Sequence, residues 1–476
     1  MRRSAAAGIV LGDGGIGMNI LRPALILLGL CLAAQAQVPR AAHKVGEQSR
    51  PFDGGYGYPV YPLGDATLCP SFSSHTYSYT VQFSVEGDMV FTCGDDPGNP
   101  NLYVFPVYDK DFRLVFKDAV GRAGLGSMGS HNFANPQFSQ KRRVIFAQNG
   151  MRIYELDPWN RKSRVYVDFG GVTLVMHDER RIKPFVARDF KVGPNDEIII
   201  ELGVPRRALD PKTDCPDCYE QLGVATFDPK TGKIYTYATR NDGRGADYPH
   251  ITAPSSGFDE SNLSQDGRVY LTYENRPSWG DSIDFRQPLE FREPAWPQYQ
   301  IKGKKIYWEA HGHMGFFLGS NGKSYVVKPL SDLIDDNSDG TIDRVGMIGT
   351  AISGRWRAYY IIANTATGKA ELLWGLSAPE NQWGIGHFSR SQASDVFWGS
   401  STETITRYEV AHTSSGELSS VTGTNVAKAG AGKCGYWDEP RVTSDPTGNR
   451  GMFDSALAGN CKPQVYVVVY SPHRSE

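Results

Sequence analysis

The stretch that decides the fold is Gln265-Asp266-Gly267-Arg268-Val269-Tyr270-Leu271, a polar turn that runs directly into strand-forming residues. Glycine suits the left-handed backbone of a tight turn, and β-branched and aromatic residues favour an extended chain. The same order of turn and strand recurs along the chain, at 85–91, 140–146, 320–326 and 445–453. Amphipathic helical stretches are scarce between these turns, so the pattern predicts an all-β, antiparallel protein.

The recurring turns divide the chain into units of similar size, which is typical of a propeller or a solenoid. Seven units can be placed, at 75–118, 129–172, 183–240, 248–310, 311–379, 380–427 and 432–471. A propeller blade has four strands, and four to eight blades close a ring. We therefore predict one seven-bladed β-propeller over 75–476. The alternative is a β-sandwich followed by a second β domain.

A propeller closes when a strand from one end of the chain pairs near the other end. The run Gln464-Val465-Tyr466-Val467-Val468-Val469-Tyr470 has the strand-forming composition for this role. Residues 37–74 then form an extension that leads into the first blade.

The N-terminus has the features of a secretory signal peptide over residues 1–36. An apolar run covers 23–32, and Ala34-Gln35-Ala36 places small residues before a cleavage site at Gln37. Met18 is an alternative start, and the run is too short for a permanent membrane helix. We expect a secreted or periplasmic protein that is monomeric and not inserted in a membrane.

Composition excludes two classes of protein. Lys and Arg number 50 against 52 Asp and Glu, for a net charge of -2, whereas nucleic-acid binders usually carry a basic excess. Hydrophobic residues make up 40% of the chain and aromatic residues 12%, which is too much for a disordered chain. No phosphate-binding loop occurs in the sequence, so no nucleotide cofactor is expected.

Six cysteines remain once the signal peptide and its Cys31 are removed. An even number in an exported chain favours disulfides. Proximity in sequence suggests the pairs Cys69–Cys93, Cys215–Cys218 and Cys434–Cys461. The alternative for Cys215-Pro-Asp-Cys218 is a redox or zinc motif, although no second CxxC completes a four-thiolate site.

Residues 335–343 resemble a calcium-binding loop. Oxygen-bearing side chains recur at alternate positions around a central glycine, which is the spacing that wraps hard ligands around Ca²⁺. The candidate ligands are Asp335, Asn337, Asp339, Thr341 and Asp343. The bidentate glutamate that usually ends such a loop is replaced by Gly346, so a plain Asn/Asp turn is the alternative.

Histidines and arginines fall at equivalent places in the seven units. When the units are aligned on their turns, the residues before each first turn are His75, His131, Arg188, His250, His311 with His313, His387 and Arg441. The innermost strands of a propeller surround a central channel. These side chains are therefore expected to converge on one axis and to form a site, although any single histidine could be a hydrogen-bonded core residue.

A metal site is one use of this convergence. His311 and His313 are two residues apart and so share one face of a strand. With His387 from the next unit they could hold a divalent metal such as Mn, Zn or Ca. The remaining His177, His412 and His473 are expected at the surface or in loops.

The exported propeller, the ring of histidines and arginines, and His311-Gly312-His313 before a turn resemble the β-propeller polysaccharide lyases, the oligogalacturonate and ulvan lyases. The resemblance implies β-elimination on an acidic polysaccharide, in which a His or Tyr abstracts the C5 proton of a uronate and an Arg or a metal neutralises its carboxylate. In the oligogalacturonate lyases a His-x-His pair ligates the metal, a role that His311, His313 and His387 could fill. No counterpart of that family's glutamine ligand is assigned.

The residues that would carry this chemistry can be named. His131 is the candidate base, because the polar residues around it can orient its ring. Arg188 or Arg441 would offset the carboxylate charge, and Tyr248 or Tyr219 would protonate the leaving oxygen.

Substrate binding is assigned to His250, Trp308 and Trp383, since aromatic rings stack on sugar faces. Two other functions fit the same features: a copper- or iron-dependent periplasmic oxidoreductase, and a non-catalytic propeller that binds glycans or proteins.

Overall fold

The computed structural model describes residues 40–65, 67–69, 73–74, 80–93, 104–119, 135–175, 179, 181–184, 186–205, 219–238, 260–272, 280–284, 299–301, 304–306, 314–330, 333–334, 344–345, 356–367, 370–378, 387–401, 404–429, 440–457 and 463–471. The predicted signal peptide at 1–36 lies outside these ranges. Its cleavage site and the predicted domain boundaries stay predictions.

Short β-strands make up the regular structure. The first twelve are β1 (Phe52–Asp53), β2 (Pro59–Pro62), β3 (Ser73–Ser74), β4 (Met89–Val90), β5 (Thr92–Cys93), β6 (Val104–Tyr108), β7 (Leu114–Ala119), β8 (Gln137–Phe138), β9 (Ile145–Asn149), β10 (Arg152–Asp157), β11 (Lys162–Asp168) and β12 (Leu174–Val175). The next twelve are β13 (Arg181–Ile182), β14 (Val186–Val192), β15 (Ile198–Pro205), β16 (Tyr219–Asp228), β17 (Lys233–Ala238), β18 (Glu260–Leu263), β19 (Arg268–Thr272), β20 (Gly280–Asp284), β21 (Tyr299–Ile301), β22 (Lys304–Ile306), β23 (Gly315–Leu318) and β24 (Ser324–Leu330).

The remaining strands are β25 (Leu333–Ile334), β26 (Arg344–Val345), β27 (Trp356–Asn364), β28 (Ala370–Ala378), β29 (His387–Phe388), β30 (Arg390–Ser394), β31 (Val396–Ser400), β32 (Thr404–His412), β33 (Leu418–Lys428), β34 (Val442–Ser444), β35 (Arg450–Ser455) and β36 (Gln464–Val469). No helix occurs in the described ranges, and so none there is long and apolar enough to cross a membrane.

The larger sheets follow the predicted units in order. They are sheet I (β3–β7), sheet II (β8–β11), sheet III (β14–β17), sheet IV (β18–β20), sheet V (β23, β24, β27, β28 and β30), sheet VI (β29 and β31–β33) and sheet VII (β34–β36 with β1 and β2). They form a β-propeller, as predicted, and not a β-sandwich with a second β domain. Within the described residues six sheets have four or five strands and sheet IV has three, so seven complete blades stay a prediction.

The ring is closed by pairing between the two ends of the chain. Sheet VII has the order β1-β2-β36-β35-β34, so N-terminal strands form its outer edge. Val60 pairs with Val468 and Pro62 with Tyr466 in an antiparallel register. The predicted closing role of the C-terminal run is confirmed.

The N-terminal extension also binds the first sheet. Gly46 N donates to Leu114 O at 2.7 Å, and Leu114 N donates to Glu47 O at 2.9 Å, which adds residues 46–49 beside β7. The Tyr108 hydroxyl, buried in sheet I, lies 2.6 Å from the carbonyls of Ala42 and Leu63. The extension therefore fastens sheets I and VII to each other.

The core lies between neighbouring sheets. One apolar cluster joins sheets I, II and III, a second joins sheet I, sheet VII and the N-terminal extension, and a third joins sheets V and VI. Trp398 of β31 is among the largest fully buried side chains. Burial of this kind is the main favourable term in folding, and here it holds each sheet against the next.

The turn glycines behave as the sequence predicts. Gly267 and Gly322 have φ values of +84° and +76°, in the left-handed region. In two other sheets an aspartate adopts this left-handed conformation in place of a glycine. Asp196 and Asp395 have φ values of 65° and 58°. Asp tolerates this conformation better than most residues do.

One predicted disulfide is present. Cys69 in the extension is bonded to Cys93 at the end of β5, with a Cα–Cα distance of 4.9 Å. Structural disulfides persist in oxidising compartments, so the bond is consistent with an extracellular or periplasmic protein. The other two predicted pairs, Cys215–Cys218 and Cys434–Cys461, lie outside the described residues.

Candidate functional site on the propeller axis

Polar side chains occupy the innermost segments of the sheets. Gln82, Gln137, Ser261, Ser391 and Thr443 are each no more than 1% exposed. Buried polar groups need hydrogen-bond partners, and several of the partners of these side chains belong to a neighbouring sheet. The axis of the propeller is therefore lined differently from the apolar layers between the sheets.

A series of hydrogen bonds links the innermost segments around the ring. Thr443 donates to Thr80 O at 2.8 Å, which joins sheet VII to sheet I. Gln82 Nε2 donates to Pro136 O at 3.1 Å, and Gln137 Nε2 donates to Phe190 O at 2.6 Å. These bonds fix the spacing of the inner strands of sheets I, II and III around the axis.

A buried ion pair extends the series to sheet IV. Lys191 Nζ lies 3.4 Å from Glu201 Oε1, and both side chains are almost fully buried. The same oxygen of Glu201 accepts hydrogen bonds from Ser261 N and Oγ, each at 2.7 Å. Sequence analysis missed this pair because it lies within strand patterns that otherwise read as apolar.

Most of the predicted site residues lie outside the described residues. These are His131, Tyr248, His250, Trp308, Trp383, His311, His313, Asp335, Asn337, Asp339, Thr341 and Asp343. The strands on either side of the predicted calcium loop are described, and β25 pairs with β26 through Leu333–Val345 and Ile334–Arg344. The calcium and substrate-binding assignments stay predictions.

Three predicted residues are described, and each lies on or beside an innermost strand. Arg188 is in β14, the inner strand of sheet III. His387 begins β29, pairs with Ser400 and is 1% exposed. Arg441 directly precedes β34, and its backbone N–H donates to Asp454 Oδ1 at 3.0 Å. His387 and Arg441 thus lie at the start of an inner strand and Arg188 within one, and their convergence on one site stays a prediction.

His387 is the one described member of the predicted metal-binding set. Among the described residues no group of three His, Cys, Asp or Glu side chains could hold an ion. Because His311 and His313 lie outside the described residues, the metal site stays a prediction.

His412 differs from its prediction as a surface or loop residue. It ends β32, its side chain is 13% exposed, and Nε2 lies 2.6 Å from Asp395 Oδ1. Burial alone would lower the pKa of His412, but the hydrogen bonds to Asp395 and to the Gly416 carbonyl, together with the nearby carboxylate charges, outweigh it and raise the pKa. The pair ties the turn at Asp395 to the outer hairpin of sheet VI.

Arg390 is the cation that sequence analysis overlooked. It begins β30, is 4% exposed, and its Nη1 donates to Val192 O in sheet III at 2.7 Å. β30 pairs in parallel with β23 of sheet V, so this hydrogen bond links sheets III and V, which are not consecutive along the chain. Burial lowers the pKa of Arg390 to about 10, with Glu197 opposing the shift, so the guanidinium is charged at neutral pH.

Solved structures share this architecture. The structure of an oligogalacturonate lyase from Vibrio parahaemolyticus matches with a TM-score of 0.50 at 10% identity, covering 91% of this chain and 100% of that one. The chain has the fold of that lyase. The predicted resemblance to propeller polysaccharide lyases is therefore confirmed at the level of the fold.

Two further matches are weaker. The polysaccharide lyase Uly1 matches with a TM-score of 0.40 at 10% identity, covering 91% of this chain and 99% of that one. A hydrazine synthase from Kuenenia stuttgartiensis gives 0.35 at 11% identity, over 69% of this chain and 78% of that one. No protein-family model matches the sequence, and no curated protein matches it either.

Proposed function

We propose that the protein is a polysaccharide lyase that cleaves a uronate-containing polysaccharide by β-elimination. The observation that carries this proposal is the match, over 91% of the chain, to the fold of an oligogalacturonate lyase. The polar axis supports it, because basic residues lie on the innermost strands of several sheets. An acidic polysaccharide would be attracted to such a site.

The reaction begins with the weakly acidic C5 proton of the uronate. Arg188 or Arg441 would offset the negative charge on the sugar carboxylate as the carbanion forms. His131 would accept the proton as general base, a role suited to imidazole because histidine side chains ordinarily titrate near neutral pH. The electron pair then forms the C4–C5 double bond, and the C4–oxygen bond breaks.

The leaving oxygen must be protonated as its bond to C4 breaks. Tyr248 would donate that proton, with Tyr219, the first residue of β16, as the alternative. His250, Trp308 and Trp383 would hold the neighbouring sugar rings, since aromatic faces stack on sugars. No water is added to the products, which distinguishes this reaction from hydrolysis.

The proposal is tested by incubating the purified protein with a panel of uronate-containing polysaccharides and following the ultraviolet absorbance of unsaturated uronate. We expect absorbance to rise on one of them, and His131→Ala to abolish the rise without changing the thermal unfolding midpoint. The matched control is His473→Ala, which removes a histidine near the C-terminus and should keep full activity.

The other outcomes separate the alternatives. Binding of a polysaccharide without any absorbance change would contradict the lyase and indicate a glycan-binding propeller. No binding, together with copper or iron in the purified protein, would indicate the oxidoreductase. Activity that survives in His131→Ala would overturn the role of that residue as the base.

A further inference from the structure

Polar groups from several sheets meet where the innermost strands end at their first hairpins. Val192 O, at the end of β14, accepts from Arg390 Nη1 at 2.7 Å and from Gln140 Nε2 at 3.0 Å. Gln265 Nε2 donates to Ser391 O, and Ser391 Oγ lies 3.2 Å from Ser444 Oγ. We call these six residues, contributed by sheets II, III, IV, V and VII, the hairpin-end cluster.

The hairpin-end cluster contains none of the residues assigned to catalysis, substrate binding or metal binding. His387 lies at the start of its innermost strand, and Arg390 follows three residues later. Three residues of extended chain span about 10 Å, and Arg390 belongs to a different sheet from His387.

In the described part of the chain, one edge of the Arg390 guanidinium has no acceptor. Nη1 is bonded to Val192 O, whereas Nε and Nη2 are buried and have no hydrogen-bond partner among the described residues. Nε and Nη2 lie on the same side of the planar group, and their N–H bonds point in the same direction. Two parallel N–H bonds match the two oxygens of a carboxylate. Arginine makes its strongest hydrogen bonds in this paired geometry.

Among the described residues, the carboxylates nearest to this edge already have other partners. Glu197 is already bound by Asn195, through the backbone N–H at 2.7 Å and Nδ2 at 2.9 Å. Asp196 accepts from Ser139 Oγ at 2.5 Å and from Arg142 Nε at 2.8 Å. A buried charge without a partner is costly, so the cluster as described lacks an anion.

We propose that the Nε–Nη2 edge of Arg390 binds one small carboxylate within the hairpin-end cluster. The ligand is either a free carboxylate ion from solution or the carboxylate of an acidic sugar, since both present the same planar pair of oxygens. This inference does not depend on the proposed lyase activity, because it uses none of the residues assigned to that reaction.

The test measures the thermal unfolding midpoint of the full chain against sodium acetate concentration, at constant ionic strength set with sodium chloride. Arg390→Lys keeps the charge but removes the two-pronged edge. Arg142→Lys is the matched control, because Arg142 lies beside the same cluster and is already paired with Asp196 and Glu155. We expect acetate to raise the midpoint of the wild type and of Arg142→Lys by about 3 °C more than that of Arg390→Lys.

A second series with glucuronate distinguishes the sources of the carboxylate. A response to acetate identifies a site for free carboxylate ions, whereas a response to glucuronate alone identifies a site for acidic sugars. Calorimetric titration of the wild type with both ligands covers the case in which Arg390→Lys fails to fold. The proposal is overturned if no saturable binding is detected, or if the wild type and a folded Arg390→Lys respond equally to both ligands.

Discussion

The closing region and the axis of the propeller are built from opposite kinds of contact. At the closing region, sheets I and VII and the extension bury an apolar cluster that includes Phe91, Met452 and Val467. On the axis, buried amides, hydroxyls and charges such as Gln137 and Arg390 make hydrogen bonds from one sheet to another. The difference indicates that apolar burial keeps the ring closed, whereas the polar axis is the part of the molecule suited to binding.

Removal of a large apolar side chain from the closing region should have the greatest effect on stability. Phe91 is fully buried beside Tyr108, with ring centroids 6.1 Å apart. We expect Phe91→Ala to lower the free energy of unfolding by about 3–5 kcal/mol, measured by urea denaturation. Val85→Ala is the control, because Val85 is 43% exposed and its loss should cost little. Equal effects of the two changes would refute apolar burial as the basis of closure.

Breaking the ion pair on the axis should cost nearly as much, for a different reason. Lys191→Met leaves Glu201 charged and buried without its cation, and we expect a loss of about 3–5 kcal/mol. The double variant Lys191→Met/Glu201→Gln should be more stable than this single variant, because the Gln side chain stays neutral and can still accept from Ser261. If the second substitution instead adds to the loss, charge balance does not govern this part of the axis.

The disulfide should have a moderate effect at the closing region. Cys69 and Cys93 are 24 residues apart, and a cross-link over a loop of this length stabilises by about 3 kcal/mol. The double variant Cys69→Ser/Cys93→Ser should show this loss in chemical denaturation. Reducing agent should lower the stability of the wild type and leave that of the double variant nearly unchanged, and an equal response of both would contradict the assignment.

The smallest effect should come from titration of His412. Because its pKa is raised in the folded protein, the pair with Asp395 contributes its full stability below the unfolded pKa of His, near 6.5. The contribution is lost as the pH rises through the higher folded pKa. We expect about 0.5 kcal/mol of pH-dependent stability that is absent in His412→Asn, measured by denaturation across this range. If the stability of the wild type relative to His412→Asn instead increased with rising pH, the result would contradict this prediction.

The repeated turns made most of the fold predictable from sequence. A glycine such as Gly267 followed by β-branched and aromatic residues specifies turn and strand locally, and the closing run 464–470 needs only its composition to be recognised. The pairing of Cys69 with Cys93 followed from proximity along the chain. Each of these features depends on residues that are close in sequence.

The axis was less predictable because its contacts join distant residues. Arg390 bonds to Val192, 198 residues away, and nothing in the run Ser389-Arg390-Ser391 marks it as a buried cation. β30 lies in the predicted unit 380–427 but pairs in parallel with β23 of the preceding unit. A repeat pattern in the sequence cannot indicate such an exchange between units. Aspartates at Asp196 and Asp395 likewise replace the glycine on which the turn prediction depends.

The measurement that tests the central claim most directly is mass spectrometry of the products formed from a defined acidic oligosaccharide. Elimination predicts two fragments whose masses sum to that of the substrate, one of them carrying a new C4–C5 double bond. Fragments whose summed mass includes one added water would show hydrolysis, and would contradict the proposed lyase even if the polysaccharide were cleaved.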